Sequence, residues 1–206
     1  MNNTEQTITD FSSTKRALLE QRLKEDVAPV QLQIETIDRS APLALSFAQQ
    51  RMWFTHQLAP ENPTHNRPTY FRLTGTLNVE VLAQSLNEIV CRHEVLRSYF
   101  PIVNGQPSLK IIPELLLPLS INDISDLSKQ TEQLQTLLRQ EIQKPFDLAN
   151  GPLIRTQLLK LGETEHLLLI TLHHSVFDDW SEDILKQEIA TLYQAFSKGQ
   201  PNPLID

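Results

Sequence analysis

One short apolar run constrains the fold of this chain more than any other feature. Residues 167–172 are almost entirely leucine and isoleucine, which is typical of a strand buried inside a sheet. Directly after it come His173 and His174, then Asp178 and Asp179, and then apolar residues at helical spacing. The histidines and aspartates therefore lie where a strand delivers the chain to the start of a helix. In α/β folds this is a common place for chemistry.

Bulk composition excludes several classes of protein. The chain has 206 residues, enough for one sizeable core, and a net charge of -7. Its 18 Lys and Arg are scattered among 25 acidic residues, which argues against nucleic-acid binding. No segment approaches the roughly 20 apolar residues of a membrane span, and the polar N-terminus does not resemble a signal peptide. The single cysteine rules out an internal disulfide, so we expect a soluble, cytoplasmic protein.

The chain divides into a leader, residues 1–41, and a domain, residues 42–206. Residues 1–13 are polar and unpatterned, residues 14–24 have the pattern of a short amphipathic helix, and residues 27–42 form a proline-punctuated linker. The helix would either pack on its own domain or dock on a neighbouring module. Amphipathicity does not decide between the two.

The domain alternates helical and strand patterns. Helices are predicted at residues 47–58, 79–92, 128–144 and 181–198, and strands at residues 69–74, 96–103, 108–112, 153–161 and 166–172. Asn104-Gly105 is a hairpin signal, because both residues tolerate positive φ. Helices interleaved with strands, some of them antiparallel, predict a mixed α/β layer fold.

Three segments together resemble one protein family. Residues 173–179 resemble the His-His-x-x-x-Asp-Gly signature of the condensation domains of nonribosomal peptide synthetases. Ser46 to Phe54 and Arg92 to Phe100 resemble that family's first two core motifs, in the family's order. The resemblance covers roughly Pro42 to the C-terminus. It implies a chloramphenicol-acetyltransferase-like lobe, a mixed sheet with flanking helices.

The resemblance also implies a division of the catalytic channel. A full condensation domain consists of two similar lobes, and its channel runs between them. This chain resembles the N-terminal lobe and ends at Asp206, in what looks like the connection toward the second lobe. We therefore expect half of the channel wall to be supplied by another segment or protein.

By the same resemblance, His174 is the residue at the reacting centre. The reaction is attack of an aminoacyl amine on an upstream acyl thioester, with both substrates tethered to carrier proteins by phosphopantetheine. An imidazole can accept a proton at neutral pH, so His174 could act as a general base. The alternative role proposed for the family's histidine is to position the amine and the developing oxyanion. His173 is interpreted as structural, because neighbouring side chains at a strand end point to opposite faces.

The motif aspartate and its neighbour are also interpreted as structural. The resemblance implies that Asp178 pairs with an arginine, for which Arg97 is the best candidate and Arg92 the next. Asp179 stands where the family has glycine, a residue that often signals positive φ. Asp179 could cap the last helix, with Glu182 three residues later. Its carboxylate would also weaken His174 as a base and narrow the channel, so we expect reduced or altered activity.

The remaining candidate site residues are expected to line the channel and not to take part in the reaction. They are Gln49, Arg51, Trp180 and Ser181, whereas Phe47, Met52 and Trp53 are expected in the core. No metal site is expected, since adjacent histidines diverge and no further ligand cluster supports them. No cofactor is expected to bind directly, because phosphopantetheine belongs to the partner carrier proteins. The expected partners are those carriers and a C-terminal lobe or neighbouring module.

Two other functions remain open from the sequence. The first is a non-catalytic docking module or remnant that keeps a partner surface and turns nothing over. The second is a free-standing acyltransferase that trimerises, so that a neighbouring copy of the chain completes the channel.

Overall fold

The structure, a computed structural model, describes residues 43–205. The predicted leader helix and linker, residues 14–42, lie outside the described residues. The helices are α1 (Phe47–Leu58), α2 (Val79–Arg92), α3 (Gln130–Gln143) and α4 (Asp179–Phe196), with 3-10 turns at Pro63–His65 and Glu94–Arg97. The strands are β1 (Asn66–Thr74), β2 (Ser98–Tyr99), β3 (Ile102–Val103), β4 (Gln106–Pro107), β5 (Lys110–Ile111), β6 (Leu119–Asp123), β7 (Ile154–Gly162) and β8 (Glu165–His173).

Four strands form the main sheet, in the order β1-β8-β7-β6. β8 pairs antiparallel with both β1 and β7, while β6 runs parallel to β7. The apolar run 167–172 is thus an interior strand, and Leu168, Leu169 and Ile170 are fully buried. A strand covered on both faces needs such a continuous apolar sequence. The mixed sheet with flanking helices confirms the predicted mixed α/β class.

One face of the sheet carries the main core against α2 and α4. Alternate residues of β8 point to this face, and they pack with one apolar stripe of each helix. The stripe residues are Leu82, Leu86, Ile89 and Val90 on α2 and Leu185, Ile189 and Leu192 on α4. Asn78 fixes the start of α2, since its side chain accepts a hydrogen bond from the Val81 amide. This packing sets the position of α4, whose first turn borders the histidine pair.

The opposite face of the sheet is held to α3 by polar side chains. Glu141 is only 5% exposed, and the Arg155 Nε donates to its Oε1 at 2.5 Å. Arg155 also donates to the Lys144 carbonyl at 2.9 Å, and its guanidinium lies 3.7 Å from the centre of the Phe146 ring. The Asn66 amide donates to the Lys144 carbonyl as well, at 2.9 Å. These bonds satisfy carbonyls at the end of α3, which have no partners within the helix.

The structure confirms several predicted elements and corrects others. α1 and α2 have the predicted bounds, and the Asn104-Gly105 turn joins β3 to β4 with φ of 52° and 78°. The predicted strand 96–103 is wrong in its first part, where a 3-10 turn runs to Arg97 and a two-residue strand follows. β6 was not predicted. Its five residues carry no strong apolar pattern, and they join the sheet through pairing with β7.

Candidate active site

The histidine pair lies at the end of β8, in the turn that leads to α4. The His174 amide donates to the His65 carbonyl at 2.8 Å, which extends the β1–β8 pairing one step beyond the strand ends. The Val176 amide donates to the His173 carbonyl at 3.0 Å and closes the turn. Backbone hydrogen bonds on both sides therefore hold the segment that carries the two imidazoles.

His173 is buried, with 3% of its surface exposed. Its Nδ1 accepts a hydrogen bond from the Ser175 amide at 3.2 Å and lies 2.8 Å from the Ser175 hydroxyl. A nitrogen that accepts carries no proton, so the neutral ring is protonated on Nε2. The rings of His65, Phe146 and His56 surround it edge-on, at centroid distances of 5.7, 6.1 and 6.3 Å. Burial, and then the charges of His65 and His56, lower the pKa of His173 to about 3, so this imidazole is neutral at physiological pH.

His174 is half-buried and has a different partner. Its Nδ1 lies 2.8 Å from the Phe177 carbonyl oxygen. A carbonyl can only accept, so Nδ1 carries the proton and Nε2 of the neutral ring keeps its lone pair. The backbone of the turn thereby selects one tautomer and orients one basic nitrogen, which is the arrangement that a general base needs.

Within residues 43–205, Asp178 caps α4 and pairs with no arginine. Its carboxylate accepts hydrogen bonds from the Ser181 amide at 2.9 Å and from the Ser181 hydroxyl at 2.6 Å. These bonds, and more weakly the charge of His174, lower the pKa of Asp178. The aspartate therefore holds the turn in shape by fixing the start of the helix that follows it.

The predicted pairing of Asp178 with Arg97 is wrong. The Arg97 guanidinium donates to four backbone carbonyls, those of Val90, Cys91, Ile112 and Pro113. It joins the end of α2 to the segment after β5, on a different part of the domain. The alternative partner, Arg92, contacts the Glu188 carboxylate and the Ile205 carbonyl.

Asp179 occupies the first position of α4 and is exposed. The prediction that it caps the helix is wrong by one residue, since Asp178 provides the cap. Within residues 43–205, Asn104 is the only residue other than glycine with positive φ, so the helical backbone at Asp179 needs no glycine. A carboxylate in the first turn also interacts favourably with the helix dipole.

The four channel candidates border the turn to different degrees. Gln49 lies in the first turn of α1, and its Nε2 donates to the Ser175 carbonyl at 3.3 Å, which ties α1 to the turn. Ser181 is engaged with Asp178. Arg51 is exposed on α1, and Trp180 is 83% exposed on the first turn of α4. Phe47, expected in the core, is instead 89% exposed.

The structure adds residues to the site that the sequence did not indicate. His56 of α1 and His65, just before β1, both approach His173. Burial lowers the pKa of each, and the charge of Asp147 opposes that shift at His56. The sequence contained no signal for this cluster, because α1 and β1 are distant from β8 along the chain and meet it only in the folded sheet.

Across residues 43–205, no three His, Cys, Asp or Glu side chains are grouped so that they could hold a metal ion. None of the helices in that range is both long and apolar enough to cross a membrane.

Solved structures similar to this chain include condensation domains. The starter condensation domain of rhizomide synthetase RzmA superposes with a TM-score of 0.75 at 24% identity, covering 81% of this chain and 42% of that one. The first condensation domain of the CDA synthetase gives a TM-score of 0.74 at 23% identity, covering 81% and 42%. These similarities show the chloramphenicol-acetyltransferase-like fold that the sequence predicted.

Sequences similar to this chain include two synthetases. Malpibaldin synthetase of Mortierella alpina is 44% identical over 172 residues, which are 83% of this chain and 3% of that protein. Malpinin synthetase of the same organism is 39% identical over 197 residues, 94% of this chain and 2% of that protein. The chain thus spans only a few per cent of the length of these relatives. The condensation-domain family model matches residues 40–205, and the chain belongs to the condensation domain family.

Proposed function

We propose that residues 42–206 form the N-terminal lobe of a condensation domain that joins carrier-bound acyl and aminoacyl units in nonribosomal peptide synthesis. The proposal is supported by the family match over residues 40–205 and by the coverage of only 42% of solved condensation domains. A second lobe would supply the other wall of the channel. The substrates would arrive on the phosphopantetheine arms of carrier proteins.

In this proposal His174 accepts the proton of the attacking amine. The acceptor amine adds to the donor thioester carbonyl, a C–N bond forms, and the amine proton passes to Nε2 of His174. The C–S bond then breaks, and the departing sulfur takes the proton back from the imidazolium. Placement of a base at this point is worth about 10²–10⁴-fold in rate.

The observation that carries the proposal is the hydrogen bond between His174 Nδ1 and the Phe177 carbonyl. It leaves Nε2 as the free basic atom, while His173 is buried with its Nδ1 engaged by Ser175. Of the two adjacent imidazoles, only His174 therefore offers a nitrogen lone pair to a substrate in the channel.

The test is a substitution that keeps this hydrogen bond and removes the base. In His174→Asn the amide nitrogen can occupy the Nδ1 position and donate to Phe177, while no group replaces Nε2. In a protein that carries this chain and a second lobe, we expect condensation to fall at least about 100-fold with the fold unchanged. His93→Gln, at a histidine paired with Glu188, is the matched control and should keep wild-type turnover. Wild-type turnover by His174→Asn would contradict the role of His174.

The exposed apolar side chains favour a second candidate, a docking module without activity of its own. Phe47 and Phe54 of α1 and Trp180 of α4 are mostly exposed, as expected of a surface that another protein covers. The isolated chain should be incubated with carrier-bound donor and acceptor. Binding without product supports this candidate, and product formation by the chain alone excludes it.

A further inference from the structure

Arg67 points toward the same face of the sheet as the main core and α4. It is the second residue of β1 and lies directly opposite Leu172 of β8, and paired residues project from the same face. Leu172 belongs to the core beneath α4, and Thr69, two residues further on, donates to Glu182 of α4 at 2.7 Å. Arg67 thus lies on the face of the sheet that α4 covers, at the end next to the histidine turn.

Its position brings Arg67 within reach of the reacting centre. The β1–β8 pairing continues to His65 and His174, so His174 is the diagonal neighbour of Arg67 across the two strands. Diagonal neighbours lie about 7–8 Å apart, a distance that a long side chain spans. The charge of Arg67 also contributes to lowering the pKa of His65 and of His173, in keeping with this proximity.

Arg67 is half-buried and, within residues 43–205, its guanidinium takes part in no hydrogen bond or ion pair. Three carboxylates lie at the start of α4. Asp178 accepts hydrogen bonds from Ser181 and Glu182 accepts one from Thr69, while Asp179 is exposed. Arg51 on α1 adds a second positive charge near His65. An arginine without a partner in a partly desolvated position is a strong site for a planar oxyanion.

We propose that Arg67 forms a specificity subsite beside His174 that selects an acyl or aminoacyl unit bearing a carboxylate. The inference rests on the proposed function, since it takes His174 as the reacting centre. A carboxylate on the substrate side chain fits this place because Arg67 and His174 are diagonal neighbours on one face of the paired strands. Two other anions fit this place less well. The phosphate of a pantetheine arm lies at the far end of the arm from the thioester, and the oxyanion of the reaction lies at the thioester itself.

The binding experiment uses the chain as it is and needs no turnover. The probes are the N-acetylcysteamine thioester of succinic acid and the methyl ester of the same compound, which differ in one charge. Binding is followed at low salt, where screening is weak, through the ring resonances of His65 and His174. We expect the free acid to bind about tenfold more tightly than the ester, as for a charge-assisted hydrogen bond.

Matched variants assign that preference. Arg67→Met should abolish the tenfold ratio, and Arg67→Lys should keep part of it. Arg72→Met is the control, since Arg72 lies on the same strand and pairs with Glu165. It should leave the ratio unchanged. Equal affinity for the two probes, or a ratio that survives Arg67→Met, would overturn the proposal.

Turnover separates this inference from the proposed function. In a two-lobe protein, Arg67→Met should slow condensation of the carboxylate-bearing donor or acceptor about tenfold and spare its methyl ester. Equal slowing of both substrates would mean that Arg67 serves the oxyanion, and would overturn the subsite. Selective binding by a protein that condenses nothing would support the subsite while contradicting the proposed function.

Discussion

Two neighbouring residues of the same type have opposite environments in this chain. His173 is enclosed by aromatic rings and held through Ser175, whereas His174 is bound through one nitrogen to Phe177. The strand pattern was sufficient to predict that the two side chains diverge. It could not identify their partners, because His56, His65 and Phe146 come from segments that meet only in the folded sheet.

The cap of α4 gives a prediction for single residues. Asp178→Ala should lower the free energy of unfolding by about 1 kcal/mol, since the Ser181 amide loses its acceptor. Asp179→Ala should change it by less than about 0.5 kcal/mol, because Asp179 is exposed and contributes only through the helix dipole. Urea unfolding of the two variants measures the difference. A larger loss at Asp179 would place the cap one residue later than the structure does.

Stability should depend on pH through His173. Its folded pKa of about 3 is below the unfolded value of 6.5, so between these values the unfolded chain binds a proton that the folded chain does not. The free energy of unfolding should thus be highest above pH 6.5 and fall by up to about 1 kcal/mol per pH unit below about pH 6. His56 and His65, whose pKa values are also lowered, act in the same direction.

Urea unfolding at about pH 7 and pH 5 tests this dependence, because the carboxylates titrate mainly at lower pH. His173→Gln should have a smaller difference between the two pH values than wild type, whatever its absolute stability. His56→Gln, at a less buried ring, should reduce the difference by a smaller amount. An unfolding free energy that is the same at both pH values in wild type would refute the assignment of His173 as a buried neutral imidazole.

At the scale of helices and strands, the sequence predicted the bounds of an element where local residues alone determine them. α1 and α2 have the predicted bounds. The Ser46 capping box begins α1 and Pro60 follows its end, while the Asn78 cap and an apolar stripe define α2. The exposure of Phe47 was not predictable, since the pattern shows that a helix forms and not which of its faces is covered. β6 was missed for a related reason: it is a strand because β7 offers an edge for parallel pairing.

The pair formed by Glu141 and Arg155 should stabilise the junction of α3 with the sheet. Arg155→Met leaves the buried Glu141 carboxylate without its partner, and we expect a loss of about 3–5 kcal/mol in the free energy of unfolding. Replacement of both residues, as in Glu141→Leu with Arg155→Met, should restore part of that loss because no unpaired charge remains. Arg72→Met, at an exposed ion pair, is the control and should change stability by less than about 1 kcal/mol.

Chemical denaturation of the three variants gives these values. If the double variant were less stable than Arg155→Met alone, packing and not the stranded charge would account for the loss.

For the whole molecule, the exposed apolar side chains predict association. Phe47, Phe54 and Leu58 lie on α1, and a stable monomer seldom exposes a large contiguous apolar patch. We expect the isolated chain to self-associate, or to be stabilised by a complementary C-terminal lobe supplied in trans. Because a partner that binds only the folded state stabilises it by mass action, the melting temperature should rise with the concentration of that lobe.

Sedimentation and thermal unfolding test this expectation. Phe54→Ser should weaken the association, and Leu116→Ser, at an exposed leucine outside α1, should not. The expected association would be contradicted by a strictly monomeric chain whose melting temperature changes neither with its own concentration nor with that of the added lobe.

The pairing of β1 with β8 has a consequence for how the chain tolerates insertions and deletions. The register is continuous from Glu165 to His173 and extends to His174 through the His65 carbonyl. An extra residue in the Glu163-Thr164 turn would leave this register intact. An extra residue within β8 would send every later side chain to the other face of the sheet, and would exchange the buried imidazole for the accessible one. The two histidines are thus not interchangeable, because the parity of a nine-residue strand decides which imidazole is buried and which is accessible.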